Sequence, residues 1–244
     1  MFSKSATLVI KGAKETYLSM NYLFSSIFVL IFRLLIFYFL WLSIAGKAVA
    51  QNVLAYIILT QVFWFSSPKE IVRKINEEVQ KGVFDLRLLK PISILKQYLL
   101  EDLGKSLANF SVFFLLLYGM FFFLIGNKIN LIFLFVGFSL SFLSYYFIFF
   151  TIGLFVFWIG DSSPLYWIIS KLLMIAQLIP HHYIPSHFQM IFDLLPGKYI
   201  VYYPAMIVLT GKIYVESVLY CIILFLLNTI ILKSALKKLA VFGG

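Results

Sequence analysis

Charge is scarce in this chain: Asp, Glu, Lys and Arg make up 12% of its 244 residues, and mean hydropathy is +0.99. That excludes an ordinary water-soluble domain, about a quarter of whose residues are charged. Cysteine is scarcer still. Cys221 stands alone inside an apolar run, so neither an internal disulfide nor a cysteine-based metal site can form. No G-x-x-x-x-G-K-[ST] phosphate loop occurs, so the chain does not bind ATP by that device. None of the ten acidic residues lies deep in an apolar run, whereas ion-coupled carriers usually rely on buried carboxylates or broken helices near the midplane. Soluble domains, low-complexity linkers and internal repeats are all missing. The first apolar run is too long for a signal peptide and lacks a small-residue cleavage site, so it is expected to stay in the protein.

What remains is apolar length. Six stretches approach or exceed the roughly 20 residues a helix needs to cross a bilayer: residues 22–45, 48–66, 106–126, 131–158, 165–183 and 213–232. Runs such as SVFFLLLYGMFFFLIG are continuously apolar rather than alternating, which favours helices over a β-barrel. With the amino terminus inside, fourteen of the 20 Lys and Arg fall on inner segments and four on outer ones. The positive-inside rule then places both termini in the cytoplasm. The net charge of +10 follows from topology and anionic lipid, with no need for nucleic acid. The expected fold is an all-α integral membrane protein, one domain over residues 1–244. It carries a polar arm (1–20), a cytoplasmic insertion (67–105) and an outer segment (179–212) containing Pro180, Pro185, Pro196 and Pro204.

The insertion opens with SSPKEIVRKINEEVQKG. Ser67 as N-cap, Pro68 at the first helical position and Glu70 three residues on predict a capping box, and Gly82 predicts a left-handed stop. At 100° per residue Ile71, Val72, Ile75 and Val79 share one stripe. The other face mixes Glu70, Glu77 and Glu78 with Lys69, Arg73, Lys74 and Lys81, giving expected pairs Glu70 with Lys74 and Glu77 with Lys81. A membrane-anchoring helix would be dominated by cations. Mixed charge suits a protein partner, and a solvated helix lying on the bilayer is the alternative.

Four polar residues within the spans, Arg33, Gln61, Lys171 and Gln177, are the candidates for a translocation path. Arg33 lies near the middle of the first run, where an unpaired charge costs about 2.5 to 3.5 kcal/mol on insertion scales, so it should face protein or water. Lys171 is near enough to the inner end of its span to snorkel. Gln61, Gln177 and Asn228 are residues of a type that stitches helices together. His181, His182 and His187 accompany Asp193 but lack H-E-x-x-H spacing, so they read as polar residues of an outer interfacial segment and no metal is assigned. The prolines there break any straight helix and leave FQMIFDLL and YIVYYPAMIVL as short helices that dip into the outer leaflet and return.

The order of features resembles the daunorubicin-resistance-like branch of type-2 ATP-binding-cassette exporter permeases. The resemblance rests on Trp41, Tyr56, KGVFDLRLLKPIS with Gly82, Leu88, Leu89, Lys90 and Pro91, then Trp158, IPHHYIP, DLLPG and YYPAMIVLTG. It implies six spans, an amino-terminal elbow helix, a coupling helix formed by residues 66–82 and outer re-entrant helices. It further implies a second permease, identical or related, and two copies of a cytoplasmic ATPase that holds the ATP and Mg. The expected setting is a bacterial cytoplasmic membrane. HHY departs from the more apolar stretch usual between the two prolines. An integral lipid-modifying enzyme and an ATP-independent carrier are the competing classes.

Overall fold

This computed structural model describes residues 2–18, 20–120 and 130–242, and among them there is no strand. Ten helices run in order: α1 Phe2–Leu18, α2 Met20–Phe65, α3 Glu70–Gln80, α4 Ile94–Met120, α5 Leu131–Leu154, α6 Val156–Ile159, α7 Ser163–Leu178, α8 Ser186–Leu194, α9 Tyr203–Thr210 and α10 Val215–Phe242. Short single turns link them at Phe84–Arg87, His181–Tyr183 and Lys198–Tyr202. Among the described residues three helical stretches, Ser25–Gln80, Leu131–Ile159 and Val215–Leu239, are long and apolar enough to cross a membrane, and Ser163–Leu178 is a shorter apolar helix.

α2 is two helices. Gly46 at its centre has φ 79° and ψ 175°, a conformation open in practice only to glycine. The guanidinium of Arg33 donates to Gln61 Oε1 at 2.6 Å, whereas 28 residues of straight helix would separate them by about 42 Å. The chain therefore doubles back at Gly46, and the two apolar runs expected at 22–45 and 48–66 lie antiparallel. Leu30 and Leu34 of the first half share a buried cluster with Val53, Leu54, Ile58 and Val62 of the second.

The remaining expected spans fare differently. The run 131–158 becomes α5 and α6. The run 165–183 stops at Leu178, because Pro180 follows and removes a donor. The run 213–232 continues ten residues further, to Phe242. The run 106–126 begins within α4, and its end lies outside the described residues. α1 crosses α4 where a Cβ on Gly12 would stand 2.0 Å from the carbonyl oxygen of Glu101, and one on Gly104 2.0 Å from that of Val9. Two glycines thus bring two backbones together.

Candidate functional site

α3 is where the insertion meets the spans. Its apolar stripe folds as expected, with Ile71, Val72 and Ile75 buried and Val79 partly so. Ile75 sits over Gly153 of α5, where an added Cβ would come within 2.7 Å of its Cδ1. The helix stops at Gly82, φ 67°: the Val83 amide bonds to Glu78 O at 2.9 Å and the Gly82 amide to Val79 O at 3.1 Å. These are the two bonds of a Schellman cap.

The start differs from the expectation. Ser67 Oγ donates to Trp64 O at 2.7 Å, satisfying a carbonyl left over at the end of α2. Lys69, the residue before the helix, is already in helical conformation and makes no side-chain cap. The capping box of Ser67 and Glu70 is not formed. The expected pair Glu70 with Lys74 is not formed either, because α4 offers both a partner: Glu70 takes Lys105 at 3.1 Å, and Lys74 takes Glu101.

The inner half of the charged face is thus consumed within the chain. Arg87 forks onto Glu78, with Nε at 2.6 Å from Oε2 and Nη2 at 2.5 Å from Oε1, and reaches Glu101 at 3.3 Å. Its guanidinium carbon lies 3.8 Å from the centroid of the Tyr98 ring, and the Tyr98 hydroxyl donates to Glu78. Burial opposes the charge on Glu101, but Lys74 and Arg87 prevail and hold its carboxyl down at about 2. Glu78 is lowered in the same way, by Arg87 and Tyr98 against burial. Beside them Asp102 is buried with Oδ2 unpartnered, and burial pushes its carboxyl up to about 7.

A second bolt holds the far side of α3. Asn76 Nδ2 donates to Asp161 Oδ1 at 2.8 Å and to Ser163 Oγ at 3.1 Å, while its Oδ1 accepts from Ser162 Oγ at 2.7 Å. Arg73, Glu77 and Lys81 are left outside: Arg73 meets Glu77 at 2.9 Å, Lys81 meets it at 3.5 Å, and their side chains are 70%, 44% and 68% exposed. Lys69 lies over the rings of Trp64 and Phe65, 5.0 and 5.1 Å from their centroids. Burial draws its amine down to about 8.

Three of the four polar residues picked within the spans are joined in series. Arg33 donates to Gln61, Gln61 Nε2 donates to Gln177 Oε1 at 3.2 Å, and Gln177 Nε2 donates to the Tyr145 hydroxyl at 3.4 Å. Gln61, Gln177 and Tyr145 are buried and Arg33 is half-buried. The end of α7 is pinned to α2 here: Thr60 donates to Gln177 O at 2.8 Å and Tyr56 to Ala176 O, carbonyls that the end of a helix leaves free. Tyr145 lies 14 residues from the start of α5, about 21 Å along its axis, so the thread runs at mid-depth. Lys171 is not brought to it, being exposed with its amine 4.8 Å from the Trp167 ring centroid.

Trp64 links the thread to the residue that precedes α3. Its ring meets Tyr145 at 5.6 Å and Phe149 at 6.2 Å, and the Lys69 amine lies 5.0 Å from its centroid. In the outer segment His181 Nε2 lies 2.8 Å from Asp193 Oδ1, and Lys198 reaches the same oxygen at 2.5 Å. His187 sits apart against Phe188, and among the described residues no three His, Cys, Asp or Glu side chains could hold a metal ion.

Asn76, Arg87, Tyr98 and Trp64 were not singled out by the sequence. Only Asn76, a poor helix former in mid-helix, carried a faint signal.

Helical throughout the described residues, with long apolar helices to which α3 is locked, the molecule is a multi-pass membrane protein. Residues 24–243 match the family model described as ABC-2 family transporter protein. The chain belongs to that family, whose members are transport subunits rather than enzymes. No curated protein and no solved structure matches it.

Proposed function

We propose that the chain is the permease subunit of an ATP-driven exporter of the daunorubicin-resistance-like branch, with six spans, α1 as elbow and α8 and α9 as re-entrant helices. It pairs with a second permease, identical or related, and with two copies of a cytoplasmic ATPase that bind ATP and Mg. The membrane is the bacterial cytoplasmic membrane, with both termini inside. The cargo is hydrophobic or amphipathic, and it passes beside Arg33, Gln61 and Gln177. Lys171, exposed beside Trp167, is a less central member of that path.

The observation that carries this reading is the division of α3 into two faces. Ile71, Ile75, Asn76, Glu78 and Lys74 are spent inside the chain, so movement of α3 is movement of α5 and α7. Arg73, Glu77 and Lys81 form an outward charged row, and Glu70, at the start of the helix, stands exposed on the same face. A partner gripping that row would drive the spans through a rigid connection. Reversing Arg73 and Lys81 to Glu gives up only their two exposed pairs with Glu77, keeps the bonds that tie α3 to Lys105, Glu101, Arg87 and residues 161–163, and should strip the ATPase from the complex on mild detergent extraction. Retention of a fully bound ATPase by that variant would show that α3 is not the dock.

A further inference from the structure

On the same side as α3, a groove of about 390 Å³ opens between the loop after α3 and the last turns of α10. Its floor is apolar, formed by Leu88, Ile92, Ile94, Leu232 and Leu236, and Lys90 stands on its wall. Lys233 and Lys237 each follow a lining leucine by one residue, about 100° round the helix, which puts them at its edge. All three lysines are exposed, and none has an ion partner among the described residues. The nearest acids in sequence do not neutralise them, since Glu78 and Glu101 are committed to Arg87 and Lys74. Asp85 is the remaining exposed acid of the loop.

Depth decides the occupant. Asn228 donates to Phe147 O at 3.0 Å, and Lys238 lies over Trp158 at 5.7 Å. Leu232 and Leu236, between those two, are therefore level with the last turns of α5. Beyond that level Phe155, Trp158 and Ile159 are still exposed, and Leu89 at the groove mouth is 80% exposed. Apolar side chains surround the groove on both sides, with a tryptophan at the depth where a bilayer places its headgroups. We infer that this groove binds one anionic phospholipid of the adjoining leaflet, its phosphate held by Lys90, Lys233 and Lys237 and its chain against the leucines. The inference goes beyond the exporter reading and stands whether or not an ATPase docks on α3.

The whole chain, purified in mild detergent and titrated with phosphatidylglycerol or phosphatidylcholine, provides the test by native mass spectrometry. Phosphatidylglycerol should be retained in preference, and the triple change Lys90→Gln, Lys233→Gln, Lys237→Gln should weaken its retention about a hundredfold. The control change Lys11→Gln, Lys14→Gln, Lys81→Gln should leave retention intact. Leu236→Trp, which fills the groove and keeps the charge, should also evict the lipid. Equal retention of the two lipids, or full retention by the triple variant, overturns the inference. So does a triple variant that loses a protein partner while keeping its lipid, since the groove would then be a protein contact.

Discussion

Arg87 ties its own turn to two helices through one guanidinium: to Glu78 on α3, and to Glu101 and the Tyr98 ring on α4. Arg87→Ala would leave the partly buried Glu78 with only the Tyr98 hydroxyl and Glu101 with only Lys74, at a cost of about 1 to 3 kcal/mol. Thermal unfolding in detergent should show that loss, and Arg87→Lys should recover little, because an ammonium cannot fork onto Glu78. An unchanged melting temperature for Arg87→Ala would mean that the clamp does not stabilise the fold. Asp102 gives a pH signature. Its folded carboxyl is pushed up to about 7 by burial, with Glu101 and Glu70 adding and Lys74 and Lys105 opposing, from an ordinary value near 4. Between those limits the folded state keeps a proton that the unfolded state has lost, so this group makes stability fall as pH rises from about 4 to 7. Glu101 acts the other way: its folded value is depressed to about 2, so its contribution is present above about 4.5 and lost as pH falls toward 2. Asp102→Asn should flatten the decline between about pH 4 and 7 and raise stability at pH 8. A melting profile unchanged by the substitution would refute it. The sequence announced the charges of this cluster but not their pairing, since Glu78, Arg87 and Glu101 are 9 and 14 residues apart and meet only by tertiary contact.

At the scale of elements, α3 depends on one small residue of α5. Gly153→Leu should lift Ile75 from its seat, because even a Cβ would reach Ile75 Cδ1 at 2.7 Å. Ile75→Ala in the same chain should restore part of the loss, a coupling that a double-mutant cycle measures. Strictly additive effects would show that the two residues do not share the contact. The stripe of α3 was legible because burial follows the 3.6-residue period, and Gly82 because its backbone must turn left-handed. Its start was not, since the orphan carbonyl of Trp64 competes for the Ser67 hydroxyl, and α4 draws Glu70 and Lys74 away from each other. The glycine crossing of α1 and α4 was likewise hidden. Gly12 and Gly104 are 92 residues apart, and the small-x-x-x-small spacings Gly12 to Thr16 and Gly104 to Ala108 mark helix faces without saying that they meet each other. Similarly, Pro180 signalled a break, but not that Tyr56 and Thr60 would take up the carbonyls it leaves at the end of α7.

Across the whole molecule, the thread is joined through the Trp64 ring to Lys69, the residue that leads into α3. The sequence named Arg33, Gln61 and Gln177 separately because polar side chains are expensive in lipid. It could not join them, since that required the fold-back at Gly46 and the arrival of α7. Trp64 then packs on Tyr145, the last member of the thread, and carries Lys69, the first residue before α3. A displacement of α3 that drags the end of α2 must move Trp64 against Tyr145, and Tyr145 is the acceptor for Gln177. Trp64→Ala removes that strut and leaves Arg73, Glu77, Lys81 and the Arg87 clamp untouched. If the chain works with the proposed ATPase, then in that complex, on a Cys221→Ser background, a cysteine placed at Gln177 should change its reactivity to a small thiol reagent when ATP is added. The added Trp64→Ala should abolish that change while the ATPase stays bound and active. An ATP response at position 177 that survives the loss of Trp64 would mean that α3 signals to the spans by its direct seat on Gly153 and Asn76 alone, without the end of α2.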